Sequence, residues 1–305
     1  MFNKYINKAK KFAIEMLHGT KTIQSRLENL ERMLELFRNE YKFSPRNVFM
    51  INENIGITKI ETGQKLFIDR NDLSLAPHLV LDGRWEPSVA KWLMENYDTA
   101  STFLDVGANF GYFSIYLASV TDNTRGGKVI AIEPNPHMSD LIRKSVSING
   151  FDNRVKIVAC AVGDEKCELP LYESKDGLLG STTLRKTNSY IRQTKLVEVD
   201  TLDSIIANEK IENIGLIKMD IEGFEEKAFK GMAKLIANNK SLKILLEFSP
   251  LLYEKPIIFF TKILDSFTYI AVLDEDGKEI PIDRYEQIVE YSRLGHCDIV
   301  MYNKS

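Results

Sequence analysis

The sequence predicts an α/β fold in which a largely parallel sheet is covered by helices on both faces. Three observations carry that expectation. From Ser101 onward, short apolar runs alternate with amphipathic runs of about ten residues, the signature of strand–helix–strand units. The run Phe103-Leu-Asp-Val-Gly-Ala-Asn-Phe-Gly-Tyr-Phe-Ser114 ends an apolar strand in an acid and opens a helix through a glycine-rich turn. One unit later, Val129-Ile-Ala-Ile-Glu-Pro134 again places an acid, Glu133, at a strand end.

Residues 1–42 read as an N-terminal helical arm. Phe2, Tyr5, Ile6, Ala9, Phe12, Ala13, Met16 and Leu17 recur at helical spacing, with Lys4, Lys8, Lys10 and Lys11 mostly on the other face. His18-Gly19-Thr20 interrupts the pattern. Ile23, Leu27, Leu30, Leu34 and Phe37 then form a heptad seam that Tyr41 continues, a coiled-coil pattern. Two arrangements fit the arm. Both helices pack on the body or on a sister subunit, giving a homo-oligomer. Alternatively the basic, amphipathic residues 1–19 lie on an anionic membrane surface.

Residues 43–82 carry turn signals between short apolar runs at 65–68 and 78–81, which predicts a small β-hairpin layer. Pro87 in the first turn marks a helix over 86–97. A strand over 102–106 then leads to a helix over 110–119. A strand over 128–132 leads to a helix over 136–149, and a strand over 155–159 follows. Residues 168–200 read as a β-rich insertion around Leu169-Pro-Leu-Tyr172 and Leu196-Val-Glu-Val199. A helix over 201–208, a strand over 215–219, a helix over 224–238 and a strand over 242–248 complete the alternation. Strands near 269–273 and 298–302 close the chain. Ligands on such sheets sit beyond the carboxyl ends of the strands, where strand order reverses.

The bulk composition narrows the function classes. Hydrophobic content of 44% and charged content of 27% are those of an ordinary globular chain. The net charge of −3 supplies no basic field for nucleic acid. Cys160, Cys167 and Cys297 are scattered, without metal-ligand spacing, so a reducing, cytoplasmic setting is expected. The oily stretch 242–264 is broken by Glu247, Glu254, Lys255 and two prolines, so no membrane span is expected. The N-terminus lacks the apolar core and cleavage site of a signal peptide.

The first glycine turn is spaced G-x-x-x-G, neither the G-x-G-x-x-G of a dinucleotide fold nor a P-loop. Gly107 and Gly111 let the chain turn sharply and let a ligand approach the backbone. An acid before the turn, Asp105, suits a cationic ligand, and S-adenosylmethionine is one. Glu133 either binds both hydroxyls of a ribose or caps the next helix. Ala161 and Val162, after the third strand, are placed to flank an adenine.

Asp105-Val-Gly-Ala-Asn-x-Gly111, Glu133-Pro134 and Ile217-Lys-Met-Asp-Ile-Glu-Gly-Phe-Glu225 together resemble the FkbM family of S-adenosylmethionine-dependent methyltransferases. The likeness covers roughly residues 83–275, and Trp85-Glu86-Pro87 resembles a short motif preceding the family's first strand. The resemblance implies a class I methyltransferase, Rossmann-like sheet of seven strands with the last one antiparallel, spanning a domain over 43–305. It implies cofactor contacts from Glu86, Ala108, Asn109 and Pro134 beside Asp105, Gly107, Gly111, Glu133, Ala161 and Val162. It also implies methyl ethers on sugars or secondary metabolites as products.

Lys218, Asp220 and Glu222 alternate, so in an extended stretch they share one face. Charges at the end of a buried parallel strand are costly unless paired or used. Asp220 is the expected base, or the acceptor that orients a substrate hydroxyl, and it borders the cofactor. Lys218 could hold Asp220 ionised or meet the cofactor's carboxylate, and Glu222 could bind acceptor hydroxyls. The plainer reading is a Lys–carboxylate pair with a helix-capping acid. Asp220, Glu222 and Glu247 could together hold Mg²⁺ through oxygens, an option ranked below a metal-free site. His296 precedes the last strand and could reach the acceptor. The loop 177–185, with Arg185 and Lys186 at its end, could close over an acceptor bearing phosphate or carboxylate.

The expected function is O-methylation of a sugar hydroxyl in a glycan or glycosylated metabolite, lipid-linked if the arm touches the inner face of a membrane. The rivals are an N-methyltransferase, a nicotinamide-dependent oxidoreductase, and a non-catalytic scaffold recruited through the coiled coil.

Overall fold

Apolar strands of three to six residues build the central sheet of the computed structural model, which describes residues 48–174, 183–184, 191–292 and 295–304. The arm expected at 1–42, and most of the loop at 177–185, lie outside the described residues.

The elements run in this order: β1 (Val48–Met50), β2 (Ile55–Lys59), β3 (Lys65–Asp69), α1 (Leu75–Leu81), α2 (Pro87–Asn96), β4 (Thr102–Val106), α3 (Tyr112–Ala118), β5 (Lys128–Ile132), α4 (Pro136–Ile148) and β6 (Val155–Val158). The insertion supplies β7 (Ala161–Gly163), β8 (Cys167–Ser174) and β9 (Ile191–Thr201). Then follow α5 (Leu202–Glu209), β10 (Ile214–Met219), α6 (Glu225–Lys230), α7 (Ala233–Asn238), β11 (Lys243–Phe248), α8 (Pro256–Ser266), β12 (Tyr269–Leu273), β13 (Glu279–Pro281), α9 (Tyr285–Tyr291) and β14 (Cys297–Tyr302).

The large sheet has the order β13-β12-β14-β11-β10-β4-β5-β6. The five strands from β6 to β11 are parallel, and β14 lies antiparallel between β11 and β12. The seven expected strands are therefore present with the last one antiparallel, and β13 adds a short eighth at the edge. Strand order reverses at β4, between β5 and β10, so the carboxyl ends of these three strands mark the place for a ligand.

Alternation along β4 explains the core. Leu104 and Val106 join a buried cluster with Ile130, Ile217 and Ile244 of the neighbouring strands and with Phe229, Phe259 and Ile263 of the helices. Each such fully buried side chain contributes about 1.5–3 kcal/mol. Asp105 faces the other way, onto α3, where Ser114 Oγ donates to its Oδ2 at 2.6 Å.

Two expectations are corrected. Residues 78–81 are helical, not a strand. Ala76, Leu79 and Val80 are buried at helical spacing, and both oxygens of Asp72 serve the helix start by accepting from Leu75 N and Ala76 N and from Ser74 Oγ. The helix expected over 224–238 is two helices. A Cβ on Gly231 would lie 2.0 Å from the Gly163 carbonyl oxygen, so the chain is pressed against the insertion there, and Asp203 caps the new start through Lys234 N and Leu235 N. The oily stretch 242–264 contains α8, which starts at Pro256 and buries Phe259, Phe260 and Ile263. Among the described residues no helix is long and apolar enough to cross a membrane.

Candidate active site

A cleft of about 650 Å³ opens at the carboxyl ends of β4, β5 and β10, within the size range of small-molecule sites. Its two halves are chemically different.

One half is built on the turns after β4, β5 and β6. Gly107, Ala108, Asn109, Glu133, Pro134, Ala161 and Val162 all line it. Gly107 has φ +83°, and a Cβ there would lie 1.9 Å from the Asp220 carbonyl oxygen, so this turn and the end of β10 pack backbone to backbone. Gly107 N and Ala108 N donate to the Ile132 carbonyl at 3.0 and 3.2 Å. Asn109 takes φ +52°, uncommon for a residue other than glycine.

Glu133 organises these turns. It is 4% exposed. Its Oε2 accepts from Asn109 N and its Oε1 from Asn135 N, both at 2.8 Å. Burial pushes its carboxyl up to about 7, against the two backbone N–H donors that favour the charged form. Each carboxylate oxygen retains capacity for a second hydrogen bond. The cap of the following helix is a different residue, Asn135, whose side chain accepts from His137 N.

Two residues expected to touch the cofactor do not line the cleft. Asp105 is fully buried beneath the turn, because alternation along β4 turns its side chain towards α3. Burial raises its pKa, with Lys218 and the Ser114 hydrogen bond opposing. Gly111, at φ +79°, packs against Ile142 at the start of α3.

The other half is acidic. Lys218 Nζ donates to Asp220 Oδ2 at 2.9 Å and lies 5.0 Å from the centre of the Phe113 ring. Lys218 is 4% exposed. Burial alone would lower its pKa, but Asp220, Glu86 and Asp105 raise it on balance. The strand ends at Met219, so the expected three-residue face stops short. Glu222 reaches the cleft through a turn in which it takes φ +55° and Gly223 φ +91°. The insertion touches this turn, where Thr183 Oγ1 donates to the Glu222 carbonyl at 2.9 Å. Thr183 and Leu184 also line the cleft, as do Glu247 and His296.

Glu86 enters the acidic half, not the turns around Glu133. It precedes α2 with φ +41°, and it, Asp220 and Glu247 each place an oxygen within 4.8 Å of the others. Those three could hold a divalent cation through oxygen ligands, with Glu86 in the place expected for Glu222. Burial pushes Glu86 up to about 8, and Asp298, Asp220 and Glu222 reinforce it while Lys218 opposes. Burial followed by Asp220, Asp298 and Glu222 pushes Glu247 up to about 10.

Sequence reasoning missed Asp298, Glu225 and Tyr253. Asp298 pairs in register with Glu247 across β14 and β11, and burial pushes it up to about 6. Its signal was an acid near the start of an otherwise apolar strand. Glu225 lay inside the quoted motif without a role. Tyr253 had no signal in the chain, because its partner is Glu225, far away in sequence.

The family model for the methyltransferase FkbM domain matches residues 105–278, more than half of the chain. Among curated proteins, methyltransferase sdnD of Sordaria araneosa is 26% identical over 157 residues, covering 42% of this chain and 59% of its own. Protein arginine N-methyltransferase 7 of Oryza sativa is 42% identical over 64 residues, covering 20% of this chain and 9% of its own. Among solved structures, methyltransferase FkbM from Methylobacillus flagellatus is 20% identical with a TM-score of 0.44, over 68% of this chain and 44% of that one. The chain spans less than two thirds of the length of each of these relatives.

Proposed function

The chain belongs to the methyltransferase FkbM family, and from that premise we propose that it moves a methyl group from S-adenosylmethionine to a hydroxyl oxygen, that of a sugar in a glycan or glycosylated metabolite. The observation that carries the reading is one cleft with two halves: the Glu133-anchored turns on one side and Asp220 with its neighbouring acids on the other.

The cofactor supplies an activated sulfonium methyl. The residues here bind and align. Glu133 accepts from ribose hydroxyls, Ala161 and Val162 flank the base, and the backbone at Gly107 permits close approach. The carboxylates of the other half suit a positively charged group and accept from acceptor hydroxyls. Asp220, held by Lys218, takes the hydroxyl proton as the new bond forms. Alignment of the two reactants supplies the larger share of the rate. Glu222, Glu247 and His296 border the acceptor.

A second reading, a nitrogen acceptor, is favoured by one observation: the cleft brings the carboxyl groups of Glu86, Asp220, Glu222 and Glu247 together on one side, a setting that suits a cationic acceptor group. The arm retains its two sequence readings, a homo-oligomer contact or a peripheral membrane contact through residues 1–19 of a cytoplasmic enzyme.

Calorimetric titration of S-adenosylhomocysteine, with NAD as control, tests the proposal. S-adenosylhomocysteine should bind and NAD should not. Glu133→Ala should weaken binding about 30-fold, the equivalent of about 2 kcal/mol for lost charge-assisted hydrogen bonds. Because the Glu133 carboxyl titrates near 7, its protonated form loses acceptor capacity, so wild-type affinity should rise from pH 6 to pH 8. Equal binding of NAD, or unchanged affinity in the variant, removes the assignment. A screen of sugars, amino sugars and guanidino compounds, read as S-adenosylhomocysteine release, then separates oxygen from nitrogen acceptors.

A further inference from the structure

We propose that Glu225 is a positioning residue that, through Tyr253, holds the Asp220 turn and the Glu247–Tyr253 segment in a fixed relation. The inference rests on the reading of Asp220 and Glu247 as the acceptor side.

Neither Glu225 nor Tyr253 lines the cleft. They are 2% and 8% exposed. Glu225 Oε1 accepts from Ile221 N at 2.9 Å and from Gly223 N at 3.2 Å. Its Oε2 accepts from Tyr253 Oη at 3.0 Å. On its far side, Tyr253 Oη meets Ser249 N and the Glu247 carbonyl oxygen, each at 3.4 Å. Ser249 Oγ in turn donates to Glu247 Oε1 at 3.2 Å. One carboxylate thus links the turn after β10 to the segment after β11. The Tyr253 ring is locked edge-on against Phe248 and Phe259, with centroids 5.0 and 5.2 Å away.

The turn needs such a clamp. Beyond Met219 the chain leaves the sheet, and Glu222 and Gly223 take consecutive positive φ values. A non-glycine residue in that region persists only when its surroundings over-determine it. The turn is pinned at one end by Asp220 N donating to the Val106 carbonyl at 3.0 Å. Glu225 pins the other end. A buried carboxylate left without these donors would be costly, which favours keeping both ends of the clamp closed. Its product is the grouping of Asp220 with Glu247 and Glu86, whose oxygens lie within 4.8 Å of one another, and a misplacement of about 1 Å can cost about 100-fold in rate.

The test uses the full chain as wild type, Glu225→Ala, Glu225→Gln and Tyr253→Phe, read by hydrogen–deuterium exchange without ligand. In Glu225→Ala, exchange should speed about tenfold at Ile221 and Gly223 and also across residues 247–253. Glu225→Gln should restore both segments, because its oxygen still accepts from the two N–H groups and its amide can donate to Tyr253. Tyr253→Phe should speed exchange across 247–253 alone, and lower kcat about tenfold with the KM for S-adenosylmethionine unchanged on any acceptor the screen identifies. If Glu225→Ala does not fold, Tyr253→Phe and Glu225→Gln decide. Unchanged exchange across 247–253 in Tyr253→Phe, or no rescue by Glu225→Gln, overturns the clamp. Failure of the methyltransferase reading shows separately, as loss of S-adenosylhomocysteine binding by wild type.

Discussion

Asp220→Asn is expected to lower methyl transfer by about 10²- to 10⁴-fold, the usual contribution of a positioned proton acceptor, while S-adenosylhomocysteine affinity stays within about threefold. Asparagine keeps the shape and can still accept from Lys218 Nζ, which donates to Oδ2 at 2.9 Å in the native protein. It cannot take a proton. Binding of the cofactor product depends on the opposite half of the cleft, where Glu133 holds the turns through Asn109 N and Asn135 N. The two effects therefore separate in one variant, with turnover lost and binding kept. Turnover near the wild-type rate would remove the base role and leave Asp220 as a partner for Lys218. A parallel loss of binding would mean that the turn after β10 had moved, since Gly107 is packed against the Asp220 carbonyl.

The contrast between those halves also explains what could be read from the chain. The strands at Thr102–Val106 and Lys128–Ile132 fall where expected, because each is a buried apolar run bounded by a turn. Glu133 drew attention because an acid at the end of such a strand is out of place, and it lines the cleft. The acidic half was only partly legible. Lys218 and Asp220 announce themselves by alternation in an apolar strand, but Glu222 enters by a turn whose positive φ no periodicity encodes. Glu86 and Asp298 reach the same place from elements at opposite ends of the chain. Only the sheet order, which seats β14 beside β11, brings Asp298 opposite Glu247. Asp105 differs, because strand alternation turns its side chain onto α3 and away from the cleft lining. The helix at Leu75–Leu81 was misread because its run 78–81 was weighed without the Asp72 cap that starts it.

Lys218→Met should destabilise the protein by about 3 kcal/mol at neutral pH, the low end for removing one partner of a buried ion pair because Asp220 is 21% exposed. For a body of this size that corresponds to a fall in Tm of about 6–12 °C. Methionine fills the same space against Phe113, so packing changes little and the loss is electrostatic. Lys218 opposes the upward pKa shifts of Glu86, Asp105 and Asp298. Without it those carboxyls shift further up. A carboxyl whose folded pKa lies above its unfolded value contributes stability that is fully present below the unfolded pKa and lost as pH rises through the folded one. With Glu86 near 8 and Asp298 near 6 even in the presence of Lys218, the deficit of the variant should be smaller at pH 5, where these groups take up protons, than at pH 9. Thermal melts of wild type and variant at those two pH values measure it. A deficit of equal size at both would mean that the loss lies in the Lys218–Asp220 pair, and that the other acids around it do not share its charge.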